Sequence, residues 1–355
     1  MFLALGLCAQ AAATAGSSPI RIGLLLPPEE TEAESLQRGA ELAVARANDG
    51  PRSVELIIRG RQGQWGDDGV EAGRMVLDDS VVGLVAPSGG MPTHLALQVA
   101  GRTATPVVSL CADGSVTGAG VPWSVRMVPS TTDEARTIMN GLGTAQTRWA
   151  ALVPADRAGR EITRDLSEAA AAAGCELNPV IVIEPTLTDF SMLVPRLPRP
   201  WPDGLLIWLE AEPAALSAKS LRAASFKGAL AGPARLRSAS FEALAGSALD
   251  GFVVGRPRPE PSALELVGRF QTDYAQRFGG TPDLAAAMAF DAVSLLIGLA
   301  REAGDDPMRT RFPITDAGVG VTGPLQFDRQ GNRLLPLELI QSRNGKWTTL
   351  GAVTP

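Results

Sequence analysis

Short apolar runs and amphipathic stretches alternate along the chain, a pattern that predicts parallel strands covered by helices. The apolar runs predict strands at 20–26, 54–58, 81–86, 105–110, 150–153, 176–183, 205–209, 229–231 and 251–254. Apolar positions at three- and four-residue spacing predict helices at 36–48, 70–77, 92–101, 160–173, 262–278 and 284–303. The fold class is therefore α/β, with two strand–helix series in succession.

The start of the second series and the end of the chain have clear local signals. Ser130 and the four residues after it form a helix N-cap cluster, which begins the second series. Apolar strands at 335–341 and 346–350 end the chain, and Asn344-Gly345 between them is typical of a hairpin turn. A chain of 355 residues is long enough for about two domains.

The charge of the chain and its histidine content limit the classes of function that the sequence supports. The net charge is −6 and no run of Lys and Arg stands out, so we expect no nucleic-acid partner. His94 is the only histidine, and we expect it to face core or solvent, because nothing near it in sequence supplies a nucleophile or an orienting partner. Neither a phosphate-binding loop nor a nucleophile elbow occurs. We therefore expect no enzymatic activity, no cofactor and no metal site.

Residues 1–18 have the pattern of an export signal. Their apolar core precedes small residues that resemble a cleavage site, and it is too short to span a bilayer. A lipoprotein signal at Cys8 is an alternative, although Leu7 is bulkier than the small residue expected before a lipidated cysteine. We expect no later apolar run to form a membrane helix, and we expect Cys111 and Cys175 to be buried thiols.

Four stretches, in order along the chain, resemble the type I periplasmic solute-binding proteins. The similarity is greatest to the leucine/isoleucine/valine-binding branch, the extracellular ligand-binding receptors of ABC importers. The matching stretches are Ile20-Arg21-Ile22-Gly23-Leu24 with Gly39-Ala40-Glu41-Leu42-Ala43-Val44, Asp189-Phe190 with Asp203-Gly204-Leu205, Ala289-Phe290-Asp291-Ala292, and Gly323-Pro324-Leu325-Gln326-Phe327-Asp328-Arg329-Gln330-Gly331-Asn332.

This resemblance implies two Rossmann-like lobes with parallel sheets, joined by a three-crossover hinge. We place the crossovers near 125–130, 256–261 and 319–325. Lobe 1 would comprise 19–126 and 259–320, and lobe 2 would comprise 127–258 and 321–355. The ligand would lie between the lobes at the carboxyl ends of the strands, and the lobes would close on it by a hinge motion.

The positions that the family uses for ligand binding carry different residues here. Alignment with the family places the candidate binding residues at Ser88, Gly89, Gly90, Cys111, Asp113, Ala158, Glu210 and Arg235. Ser88 to Gly90 would present N–H groups to an anion, because they precede a helix. Asp113 and Glu210 would bind a cation or sugar hydroxyls, and Arg235 a carboxylate. The alternative is that these are solvated loop residues around a degenerate pocket.

The resemblance implies an exported, periplasmic binding protein that captures a small polar solute and delivers it to an ABC permease in the membrane. The replaced contacts make an ordinary branched-chain amino acid a poor candidate ligand. We expect a monomer. Two alternatives remain open: a ligand-sensing regulatory subunit on the same fold, and an enzyme on a doubly wound scaffold.

Overall fold

The structure is a computed structural model that describes residues 18–50, 52–60, 66–143 and 147–350. The predicted export signal and Cys8 lie outside these residues. Within the described ranges the chain forms two sheets with helices on both faces, which confirms the predicted α/β class.

The first sheet has five parallel strands in the order β2-β1-β3-β4-β5. Its strands are β1 (Ile20–Leu26), β2 (Val54–Gly60), β3 (Gly83–Ala86), β4 (Val107–Ser109) and β5 (Ser124–Arg126). Its helices are α1 (Glu30–Ala47), α2 (Asp67–Leu77) and α3 (Gly90–Thr103). Buried apolar side chains cover both faces, with α1 on one side and α2 and α3 on the other.

The second sheet repeats this order in its parallel part. Its strands are β6 (Arg148–Pro154), β7 (Glu176–Ile183), β8 (Gly204–Ile207), β9 (Ala229–Gly232), β10 (Phe252–Pro257), β13 (Leu337–Arg343) and β14 (Lys346–Thr349), arranged as β14-β13-β10-β9-β8-β6-β7. Its helices are α4 (Thr131–Leu142), α5 (Arg157–Ala173), α6 (Ala211–Ala223) and α7 (Ala239–Ala245). The two last strands are antiparallel additions, joined through Asn344 and Gly345, which both have positive φ as the hairpin turn requires.

After β10 the chain returns to the first sheet. Two helices, α8 (Leu264–Phe278) and α9 (Leu284–Ala303), join the same apolar cluster as α1. A short antiparallel pair, β11 (Asp316–Gly320) and β12 (Gly323–Gln326), precedes the last passage to the second sheet. This third crossover follows β12, and so lies beyond the stretch 319–325 that the sequence suggested.

Helix α9 corrects the expectation that no later segment is apolar enough for a membrane helix. By length and composition it is the one described helix that could cross a membrane, with a mean hydropathy of 1.7 over its most apolar window. However, 67% of that window is buried inside the protein, because α9 packs beside α1 on the same face of the first sheet. Such burial is typical of the core helix of a folded domain.

Candidate ligand-binding site

The position of the site follows from the strand order. In both sheets the second strand in sequence lies on one side of the first, and the third lies on the other, so the helices that follow leave on opposite faces. In open α/β sheets a crevice forms at such a switch point, outside the carboxyl ends of the strands. The switch points are β1/β3 in the first sheet and β6/β8 in the second.

Side chains from the two switch points meet across the interlobe cleft. An Nη of Arg164, in α5 of the second lobe, lies 3.9 Å from Oδ1 of Asp113 in the first lobe. A Cβ built on Gly90 would lie 2.9 Å from Oδ2 of Asp113 and 3.6 Å from Oε2 of Glu161, again from α5. The carboxyl ends of the two sheets therefore face each other, and the surfaces between them are polar.

The Ser88–Gly90 turn occupies the carboxyl end of β3. Gly89 is the N-cap of α3, with extended backbone and no side-chain cap, and Thr93 anchors the turn through a 2.9 Å hydrogen bond to the Pro87 carbonyl. Although we expected this helix N-terminus to receive an anion, the protein's own carboxylates, Asp113 and Glu161, lie beside Gly90. A ligand carboxylate at this place would face two like charges.

Asp113 uses its two carboxylate oxygens differently. Its Oδ1 accepts a 2.8 Å hydrogen bond from the Ser115 N–H and so caps the 3-10 turn Gly114–Ala119. Its Oδ2 is buried and, while Glu161 is ionised, accepts no hydrogen bond from any described residue. Burial opposes ionisation, but hydrogen bonds from Ser115 and from the carboxyl group of Glu161, together with the nearby His94, outweigh it and lower the pKa of Asp113.

His94 belongs to this site, although the sequence indicated only core or solvent for it. Its Nε2 lies 2.9 Å from Oγ of Ser115 and 3.9 Å from Oδ2 of Asp113. Residue spacing alone could not reveal this contact, because the α3 helix and the turn after β4 meet only when both strands pair in the sheet.

Two other predicted residues offer no functional side chain to the cleft. The Cys111 thiol is buried among apolar residues behind β4, and burial raises its pKa to about 12, so the side chain is no ligand group. Ala158 is exposed in the first turn of α5. That turn is set by Asp156, which accepts the Gly159 N–H at 2.8 Å, and by close packing of Gly159 on the Pro154 carbonyl, which leaves no room for a Cβ.

Glu210 and Arg235 stand together at the edge of the second lobe. They form an ion pair of 3.4 Å, with side chains 81% and 42% exposed, and Arg235 also donates to the Leu209 carbonyl at 3.0 Å. Glu32, from the first turn of α1, approaches both residues from the other lobe. Burial raises the pKa of Glu32, whereas the Ser88 hydroxyl and Arg235 lower it, and Glu210 raises it.

Sequence reasoning missed three residues of this cleft, His94, Glu161 and Arg164, and it did not predict the early start of α1 that places Glu32 on a helix. Glu161 and Arg164 follow the carboxyl end of β6, the first strand of the second series, so the switch-point rule would have selected their helix. Within the described residues, no group of three or more His, Cys, Asp or Glu side chains is arranged to hold a metal ion.

Two doubly wound sheets whose carboxyl edges face each other across a polar cleft define the class of two-lobed binding proteins. The chain belongs to the periplasmic binding protein family, whose model matches residues 19–332. This family consists of solute-binding proteins rather than enzymes, and this chain is a solute-binding protein of that kind. No curated protein sequence gives a significant match.

Solved structures with the same fold cover nearly the whole chain. The branched-chain amino acid transporter substrate-binding protein LivJ from Streptococcus pneumoniae, in complex with isoleucine, has 17% identity, covers 93% of this chain and 98% of its own, and gives a TM-score of 0.82. The leucine-binding protein LivK from Thermotoga maritima has 15% identity, covers 95% of this chain and 99% of its own, and gives a TM-score of 0.80. A solute-binding protein of an ABC transporter from R. palustris, in complex with benzoate, has 19% identity, covers 94% of this chain and 96% of its own, and also gives a TM-score of 0.80.

Proposed function

We propose that this chain is an exported, periplasmic receptor that captures a small polar solute between its lobes and delivers it to an ABC permease in the membrane. The observation that carries the proposal is the meeting of polar side chains from the carboxyl ends of the two facing sheets, above all Asp113, after β4 of one lobe, with Arg164 and Glu161, after β6 of the other. Groups from both lobes must contact one ligand if binding is to favour the closed state.

The proposed contacts are the residues that the family resemblance selects, now with their surroundings. Asp113 offers a carboxylate oxygen, Ser88 a hydroxyl, and Gly89 and Gly90 the backbone of a helix N-terminus. Glu210 and Arg235 close the outer edge as an ion pair, while Cys111 and Ala158 contribute backbone only. The lobe boundaries proposed above are supported by the two sheets, except that Leu325 and Phe327 pack in the cluster of the first lobe.

The proposed ligand is not an ordinary branched-chain amino acid. Two of the similar proteins bind isoleucine and benzoate, which both carry a carboxylate. In this chain the carboxylates of Asp113 and Glu161 lie beside Gly90, so a ligand carboxylate there would be repelled. The specificity must therefore differ from that of these two proteins.

A thermal-shift screen of the full protein against small polar metabolites tests solute capture. A ligand present at a hundredfold excess over its Kd adds about 2.7 kcal/mol to stability, because it binds only the folded state. We expect Asp113→Ala and Glu210→Ala to abolish the gain, whereas Glu168→Ala, at an exposed position of α5, should retain it.

Full affinity in both site variants would contradict the assignment of the cleft residues. The absence of any stabilising compound, together with no co-purified small molecule by mass spectrometry, would contradict solute capture itself. For the transport role, uptake of the identified compound by cells should fall when this chain is removed.

A further inference from the structure

Acidic and basic side chains lie at different depths in the cleft. The acidic side chains Asp113 and Glu161 are 9% and 22% exposed, whereas Arg157 and Arg164 beside them are 56% and 58% exposed. Both arginines already pair with a carboxylate: Arg157 contacts Glu161 at 2.8 Å, and Arg164 contacts Asp165 at 2.8 Å. The side chains that face Gly90 are therefore acidic, and the arginines beside them lie at the rim, while the buried guanidinium of Arg126 also interacts with Asp113 but is bonded to Asn332.

The two inner carboxylates each keep one oxygen for the cleft. Oε1 of Glu161 accepts from Arg157, and Oδ1 of Asp113 accepts from Ser115. Their other oxygens, Oε2 and Oδ2, converge within 3.6 Å and 2.9 Å of the place of a Cβ on Gly90. One donor group outside that point can reach both oxygens, and it would join the two lobes.

Oδ2 of Asp113 lacks a hydrogen-bond donor, which such a ligand group could supply. It belongs to a side chain more than nine-tenths buried and, while Glu161 is ionised, accepts no hydrogen bond from the described residues. The two nearest basic side chains do not meet the need, since His94 is 3.9 Å from Oδ2 and already bonded to Ser115, and Arg164 is 3.9 Å from the other oxygen. A buried acceptor without a donor is costly, and two facing carboxyl groups are stabilised either by a proton shared between them, as between Glu161 and Asp113, or by a cation that takes the place of that proton.

We propose that the ligand is a small organic cation, whose ammonium, amidinium or guanidinium group donates to Oδ2 of Asp113 and Oε2 of Glu161 beside Gly90. This proposal rests on the proposed function and adds the charge of the ligand to it. Donor groups of this kind match acceptors that have no proton to give, and charge-assisted hydrogen bonds of this type are the strong ones.

Isosteric probes of different charge test the proposal by calorimetry. One series is benzamidine, benzamide and benzoate, and the other is butylguanidine, butylurea and pentanoate. We expect the cationic member of at least one series to bind about tenfold or more tightly than its neutral and anionic isosteres. Asp113→Asn and Glu161→Gln should each weaken that binding about tenfold or more, because each keeps the shape of the side chain but removes its charge and replaces one acceptor oxygen by an NH2 donor.

Glu168→Gln is the matched control, because Glu168 lies on the same helix as Glu161 but is exposed to solvent. It should leave cation binding unchanged, and circular dichroism of all three variants checks that they are folded. Even if Asp113→Asn disturbs its turn, Glu161→Gln replaces a side chain on the surface of α5 and keeps the test decisive.

If a neutral or anionic isostere binds more tightly, or if the Glu161→Gln variant binds the cation with full affinity, the ligand is not an organic cation of the proposed kind. Either result would leave the proposed function, solute capture, unaffected. If none of the six probes binds, the ligand found in the metabolite screen tests the proposal instead. A cationic ligand whose binding is lost in both variants supports the proposal, and any other ligand refutes it. Failure to bind any solute would refute the proposed function as well.

Discussion

At the scale of single residues, Asp113 shows what could and what could not be predicted. Its position after the strand at 105–110 and its resemblance to a family ligand position selected it from sequence. Its hydrogen bond from the Ser115 N–H is local, but its basic neighbours, His94 of α3 and Arg164 of α5, are distant in sequence and are brought to it only by the sheet order and by the meeting of the lobes. A site residue can thus be selected from the chain, but its long-range neighbours cannot.

The raised pKa of Glu134 predicts that the stability of the protein depends on pH. Burial raises its pKa from 4.5 to about 7, although it accepts a 3.1 Å hydrogen bond from the Ala234 N–H and lies near Arg235. Between these values the folded protein holds a proton that the unfolded chain has released, so stability falls as pH rises from 4.5 to about 7. Glu134→Gln should make the loss of Tm between about pH 5 and about pH 8 smaller than in the wild type.

The control for this experiment is Glu168→Gln, which removes an exposed carboxylate from α5 and should leave the wild-type pH profile unchanged. Thermal unfolding followed by circular dichroism gives both profiles. Parallel curves for wild type and Glu134→Gln would show that Glu134 does not titrate in this range. Since Glu134 holds the turn that carries Arg235, the same variant also reports how strongly that turn is anchored.

At the scale of elements, long apolar segments were predictable and short or polar ones were not. The strands 20–26 and 176–183 and the helix 284–303 have their predicted bounds. The structure starts α1 at Glu30, six residues before the predicted start, because its first turn is polar and is capped by Glu29 rather than marked by apolar spacing. β5, β11 and β12 have three to five residues each, too few for a periodicity to be recognised.

The contact between α1 and α9 predicts the cost of adding one methyl group. A Cβ on Gly39 would lie 2.0 Å from the Ala286 carbonyl oxygen, and this backbone group cannot rotate away as a side chain would. Gly39→Ala must push the helices apart, so we expect a loss of about 1–3 kcal/mol in the free energy of unfolding, measured by urea denaturation.

Gly73→Ala is the matched control for Gly39→Ala. It lies in α2, where a Cβ would meet nothing within 4 Å. Alanine there should stabilise the protein by about 0.5–1 kcal/mol, because it restricts the unfolded chain and favours the helix. Equal effects of the two substitutions would contradict the close approach of α1 and α9.

At the scale of the whole molecule, the two-lobed organisation was predictable because the strand–helix series repeats and the family motifs occur in order. The crossovers were harder to place, because they are held by side chains distant in sequence. The buried guanidinium of Arg333 donates to the carbonyls of Met127, Gly323 and Pro324 and to the Thr322 hydroxyl.

The crossover network predicts a large effect of one substitution. Thr322 also donates to the buried carboxylate of Asp291, so Arg333 and Asp291 are coupled through it, and burial lowers the pKa of Arg333 to about 10. Arg333→Met should cost about 3–5 kcal/mol in urea unfolding, because several carbonyls stay buried without their donor and the buried carboxylate of Asp291 loses its nearby positive charge. Arg329→Met, at an exposed position nearby, should change stability by less than about 0.5 kcal/mol. A similar small change for both would mean that water replaces the guanidinium.

The return of α9 to the first lobe has a consequence for biosynthesis. The groove of α1 that holds Ala286 stays open while the ribosome produces β6 to β10 of the second lobe, because α9 begins some 250 residues later in the chain than α1. The amino-terminal lobe therefore cannot be completed until most of the second lobe has been made, although its own strands are made first. A nascent chain that cannot complete its first lobe early stays unfolded for longer, which would favour the export proposed above, because translocation requires an unfolded chain.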